Sequence, residues 1–140
     1  MILVSDRGGH MRYEARVAVD WVRHLRRVLS VVDNQVRSLR KTALIEGYER
    51  ADFGGAYWGI RGDISAYLKL ATNPVTNALD APFVATSKLA ALKTRLSSVD
   101  VETQERLINW GYAICDVSMR GMAASSNQPP QFPYSRGLSS

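Results

Sequence analysis

Between Glu14 and Tyr48 the chain sets an apolar residue at every third or fourth position: Val17, Trp21, Leu25, Val28, Val32, Val36, Leu39 and Ala43. With about 3.6 residues per turn, this spacing lines them along one side of an α-helix and predicts that this side faces a core. Arg23, Arg26, Arg27, Arg37, Arg40 and Lys41 fall largely off the stripe. A helix over the whole interval would exceed the usual globular length. A bend or break is therefore expected near Asp33-Asn34, with one of the two capping the second half, and Gly47 serves as the stop signal.

The remaining elements follow from shorter signals. Residues 2–5 (Ile, Leu, Val, Ser) read as a short buried strand bounded by Asp6-Arg7-Gly8-Gly9. In "FGGAYWGIRGD", residues 53–63, the glycines permit bends or close backbone approach and residues 56–60 suit a short strand or edge ribbon. Residues 64–80 combine a helical turn with an Asn-Pro loop. Thr86 or Ser87 is placed to cap a helix carrying Leu89, Leu92 and Leu96, and Asp100 to cap another with Glu102 and Glu105 in its first turn. Along that last helix Leu107, Trp110 or Gly111, Ile114, Val117 and Gly121 form a stripe whose glycines point to close packing on a neighbour. From Ala123 onward, Pro, Ser and Gln without periodicity read as a disordered tail. The fold class expected is helix-rich α/β, with one or two short strands and three to four helices. The domain would span residues 1–122 and the tail 123–140.

Composition limits the function classes. At 140 residues the chain holds one domain, and 46% apolar with 22% charged residues is ordinary for a globular protein. One cysteine and two histidines build neither a disulfide framework nor a clustered metal site, so no metal and no cofactor is expected. Cys115, inside an apolar run, reads as a buried inert thiol, and Trp21, Trp58 and Trp110 as core anchors. His10 and His24 read as surface residues. No stretch reaches the roughly 20 apolar residues of a bilayer span, and the opening "MILVSDRGG" lacks the basic and apolar regions of a leader. The setting expected is cytoplasmic or peripheral to a membrane. Of the net charge of +5, the excess sits in residues 1–50, with ten Arg or Lys against six acids.

Asp6 is the candidate for chemistry. A carboxylate at the C-terminal end of a strand, followed by glycines, stands where open α/β sheets place their ligand sites. There a tight turn can hold it ready to accept a proton. The same residue can instead simply start a turn. A resemblance bears on the choice. "VSDRGG", then "AVDWVRHLRRVLSVVDNQVRSLRKTALI", then "GAYWGI" are similar to the C-terminal part of bacterial patatin-like phospholipases, from about Ile2 to Met122.

The resemblance implies the C-terminal part of an α/β/α hydrolase fold and a Ser-Asp dyad that hydrolyses acyl esters. Asp6 would be the catalytic aspartate, acting as base partner to a serine in a Gly-x-Ser-x-Gly elbow. Gly8 and Gly9 would shape its turn. Arg7 stands where the family commonly carries a small residue, and its charge would make the carboxylate a poorer base. Residues 1–140 contain no Gly-x-Ser-x-Gly. The chain alone is accordingly expected to be inactive, to need an upstream segment or separate chain carrying the nucleophile, and to take a phospholipid or other acyl ester as substrate.

A second reading is a basic helical module using Arg23, Arg26, Arg27, Arg37, Arg40 and Lys41 to hold nucleic acid or an acidic protein. The basic residues lack the interleaved aromatics of a single-strand platform, so nucleic acid is not the expected partner. Membrane contact is the other use of this face. Tyr57-Trp58-Gly59 would line an acyl pocket near Asp6 or serve structure alone.

Overall fold

The computed structural model describes residues 1–6, 20–93, 98–123 and 128–138. Among them the element order is β1 (Ile2–Asp6), α1 (Trp21–Glu49), β2 (Gly55–Gly59), α2 (Ile64–Leu70), α3 (Phe83–Ala90) and α4 (Val101–Met122). The chain divides into two compact units, one of residues 1–7 and 54–140, the other of residues 8–53. The helix-rich α/β class holds in this form.

The first unit is built around a parallel ladder. β1 pairs with β2 so that Val4 lies beside Tyr57 and Asp6 beside Gly59. β1 is an exposed strand, with Ile2 41% accessible, and not the buried one its composition suggests. Four or five apolar residues bring a strand into register, but burial depends on layers stacked on its faces. β2 has those layers, since α4 packs on it and α2 and α3 pack on α4.

α4 starts at Asp100, whose carboxylate accepts the Thr103 N–H at 2.8 Å, with Glu102 in the first turn. Its buried side carries Trp110, Ala113, Ile114 and Val117, which form the core with Ile64 of α2, Leu89 of α3 and Leu138. The two glycines of α4 differ. A Cβ on Gly121 would stand 2.9 Å from Ala71 Cβ, so here the chain needs glycine for close approach. Gly111 is exposed and meets nothing, contrary to the expectation of packing there.

α3 begins at Phe83 after Pro82, earlier than expected, and Thr86 and Ser87 lie inside it. Their hydroxyls donate back to the carbonyls of Phe83 and Val84 instead of capping. Leu92 follows the helix, and Leu96 lies outside the described residues.

Residues 128–138 correct the expectation of a disordered tail. The buried amide of Asn109 donates to the carbonyls of Tyr134 and Gly137 at 2.9 and 2.8 Å and accepts the Tyr134 N–H at 3.0 Å. Leu138, 4% accessible, enters the core. Asn109 on α4 thus supplies three backbone partners to an aperiodic segment, and Glu102 and Glu105 of the same helix pair with Arg136 at 3.3 and 3.5 Å.

The second unit contains α1, capped by Asp20 and running 29 residues without a break. The expected interruption at Asp33-Asn34 is absent; Asp33 pairs with Arg37 at 2.9 Å, an i,i+4 pair compatible with a continuing helix. Gly47 does not stop the helix; it is its buried interior position, against the ring of Phe53. The chain reverses at Ala51, φ 58°. The apolar stripe is exposed along α1, including Trp21 at 73%, and does not face a core as the periodicity suggested. Periodicity reports that a face is apolar, not what covers it.

Candidate functional site

Strand parity builds the site. Side chains two apart on a strand share a face, so Val4 and Asp6 point the same way. The register gives Tyr57, beside Val4, that same face. Tyr57 is buried, and its hydroxyl donates to Asp6 Oδ2 at 2.5 Å. Asp6 itself is half-buried at the C-terminal end of β1.

A second phenol joins through the backbone. Tyr67 on α2 accepts the Gly59 N–H at 3.2 Å, directly beside the position where Gly59 pairs with Asp6. Gly62 makes room for its ring, since a Cβ there would stand 2.7 Å from Tyr67 Cε2. α2 is aimed by Asp63, which accepts the Ser65 N–H at 2.9 Å.

α4 fixes the strand end on which these groups sit. Trp110 Nε1 donates to the Ile60 carbonyl at 2.8 Å, and Ser118 Oγ donates to the Tyr57 carbonyl at 3.3 Å. The Ile60 N–H in turn donates to the Asp6 carbonyl at 3.1 Å.

The electrostatics follow from that enclosure. Burial pushes the Tyr57 phenol well above its ordinary 10.0, and the hydrogen bond to Asp6, the Asp6 charge and Tyr67 push the same way. Tyr57 therefore keeps its proton across the physiological range and stays a donor. Tyr67 is also raised, by burial and by the Asp6 charge, with the Gly59 N–H opposing. The arrangement fixes a carboxylate with a neutral donor at the C-terminal end of a parallel strand pair, which favours its charged form.

Of the residues singled out from sequence, Asp6 and Tyr57 come together. Arg7, Gly8, Gly9 and His10 lie outside the described residues. His24 is exposed on α1, and Cys115 is half-buried with its thiol pushed up by burial and by Asp116. Trp110 is a core anchor, Trp58 is partly buried, and Trp21 is not in a core. Tyr67 carried no sequence signal, because its place depends on how α2 folds back to Gly59. Among the described residues no group of three His, Cys, Asp or Glu is placed to hold a metal, and no helix is long and apolar enough to cross a membrane.

No family model, curated protein or solved structure matches the chain.

Proposed function

We propose that this chain supplies the aspartate side of a patatin-like acyl-ester hydrolase, acting on phospholipids or related esters. The observation that supports it is the Asp6–Tyr57 pair. A carboxylate ends a parallel strand, and a buried phenol 2.5 Å away orients it. In this reading Asp6 accepts the proton of a serine hydroxyl as that oxygen attacks the ester carbonyl, and the proton then passes to the leaving alcohol. Tyr57 positions the carboxylate, and Tyr67 holds the Gly59 end of β2 that pairs with it. The serine comes from a polypeptide with a Gly-x-Ser-x-Gly turn, because residues 1–140 hold none.

The test is reconstitution. The chain is co-expressed with a polypeptide carrying a patatin-like Gly-x-Ser-x-Gly segment, and hydrolysis of a chromogenic ester and of phosphatidylcholine is followed. The chain alone is expected to show no turnover and no fluorophosphonate labelling. The pair is expected to turn over, with Asp6→Asn lowering kcat by about 10²-fold or more. Unchanged kcat in Asp6→Asn, or serine-independent turnover by the chain alone, refutes the reading.

A further inference from the structure

The apolar stripe of α1 has a geometry that limits what can cover it. Trp21, Val32 and Ala43 are each 11 residues apart, as are Leu25 and Val36, and Val28 and Leu39. This is about 3.67 residues per turn, close to a straight helix and unlike the 3.5 of a left-handed coiled coil. The stripe therefore runs straight from Trp21 to Ala43, about 33 Å. With Val22 and Leu29 it fills roughly a third of the circumference, and its large residues are exposed.

Charge selects the occupant. α1 carries six Arg or Lys, all between residues 23 and 41, against Asp33, Glu46 and Glu49; Arg37 pairs with Asp33 at 2.9 Å and Arg23 lies 4.0 Å from the capping Asp20. A second copy packed stripe to stripe would cover the apolar side and leave the basic side of both helices without a counter-charge. Nucleic acid would use the basic side and leave the Trp/Leu/Val side uncovered. An anionic lipid surface attracts the helix through the charge of its basic polar face and takes the apolar face into its interior, the pattern of an in-plane amphipathic helix with an exposed Trp at one end.

We propose that α1 docks this protein in the plane of an anionic lipid surface, with the Trp21–Leu39 stripe entering the acyl boundary and the basic polar face drawn to it by the headgroup charge. This goes beyond the acyl-hydrolase reading and does not depend on it.

The full chain is tested by co-sedimentation with vesicles of phosphatidylcholine alone and of equal parts phosphatidylcholine and phosphatidylglycerol. Binding is expected to the anionic vesicles and to weaken with added salt. Intrinsic fluorescence is expected to shift to the blue on binding, and Trp21→Phe to remove that shift. Leu25→Asp/Leu29→Asp, at exposed positions, is expected to lower partitioning by at least about tenfold. Arg26→Gln/Arg40→Gln is expected to weaken anionic binding while circular dichroism shows the helix intact. Equal binding to neutral vesicles, no binding to either, or undiminished binding by the Leu25/Leu29 variant overturns the proposal. So does a dimer in sedimentation equilibrium that the Leu25/Leu29 variant dissolves, or duplex DNA binding tighter than vesicle binding and indifferent to that variant.

Discussion

Asp6 and Tyr57 stand 51 positions apart in the chain, yet their side chains share one hydrogen bond. Because the phenol is held neutral, its ionisation is a direct probe of the pair. Tyr57 is expected to titrate above 10.0 by phenolate absorbance. Asp6→Asn should bring it part of the way down, since the carboxylate's hydrogen bond and charge are lost while the larger effect, burial, remains. The sign for stability follows. A phenol raised in the folded state keeps its proton when the unfolded phenol has already lost it, so its contribution is complete below pH 10 and disappears as pH climbs beyond. Alkaline unfolding should therefore be less steep in Asp6→Asn than in the parent. A Tyr57 that titrates at the ordinary value in both forms would show that the bond does not persist in solution.

At the scale of elements, Gly47 separates propensity from packing. In an exposed helix interior, alanine for glycine adds about 1 kcal/mol of stability. Here a Cβ would fall 2.3 Å from Phe53 Cζ, and that ring already meets Tyr48 edge-on with centroids 5.4 Å apart. Gly47→Ala is expected to destabilise by about 1–3 kcal/mol in urea unfolding, and Phe53→Ala in the same chain to restore the ordinary sign. The same residue shows what was legible in advance. Periodicity located α1 and α4, and the Asp100 cap and the strand around residues 56–60 were readable from local chemistry. The role of Gly47 was not, because the ring that needs its missing Cβ comes from beyond the helix. Asp6 was legible as a candidate from its place after an apolar run. Its partner was not, because parity selects Tyr57 only once Val4 is known to lie beside it.

At the scale of the whole molecule, α4 joins sequence-distant pieces of the first unit to one another. Trp110 and Ser118 take carbonyls of the segment around β2, while Thr72 Oγ1 and the N–H groups of Thr72 and Asn73 donate to the Gly121 carbonyl. Arg120, paired bidentately with Asp116, donates to the Thr76 carbonyl at 2.7 Å. Asn109 does the same for residues 134–137. A composition rich in Pro and Ser would suggest that everything after Ala123 is dispensable, but the interior of α4 has a buried amide whose three hydrogen bonds all go there. Asn109→Ala should leave those backbone groups without their partner and cost about 1–3 kcal/mol. The damage should begin locally, with residues 128–138 becoming the first site of protease cleavage while amide exchange in α4 stays slow near Ile114 and Val117. Truncation after Ala123 also removes Leu138 from the core and should lower the melting temperature further. A truncated chain as stable as the full one would mean that the strap adds nothing to the core, and that Asn109 is satisfied equally well by water.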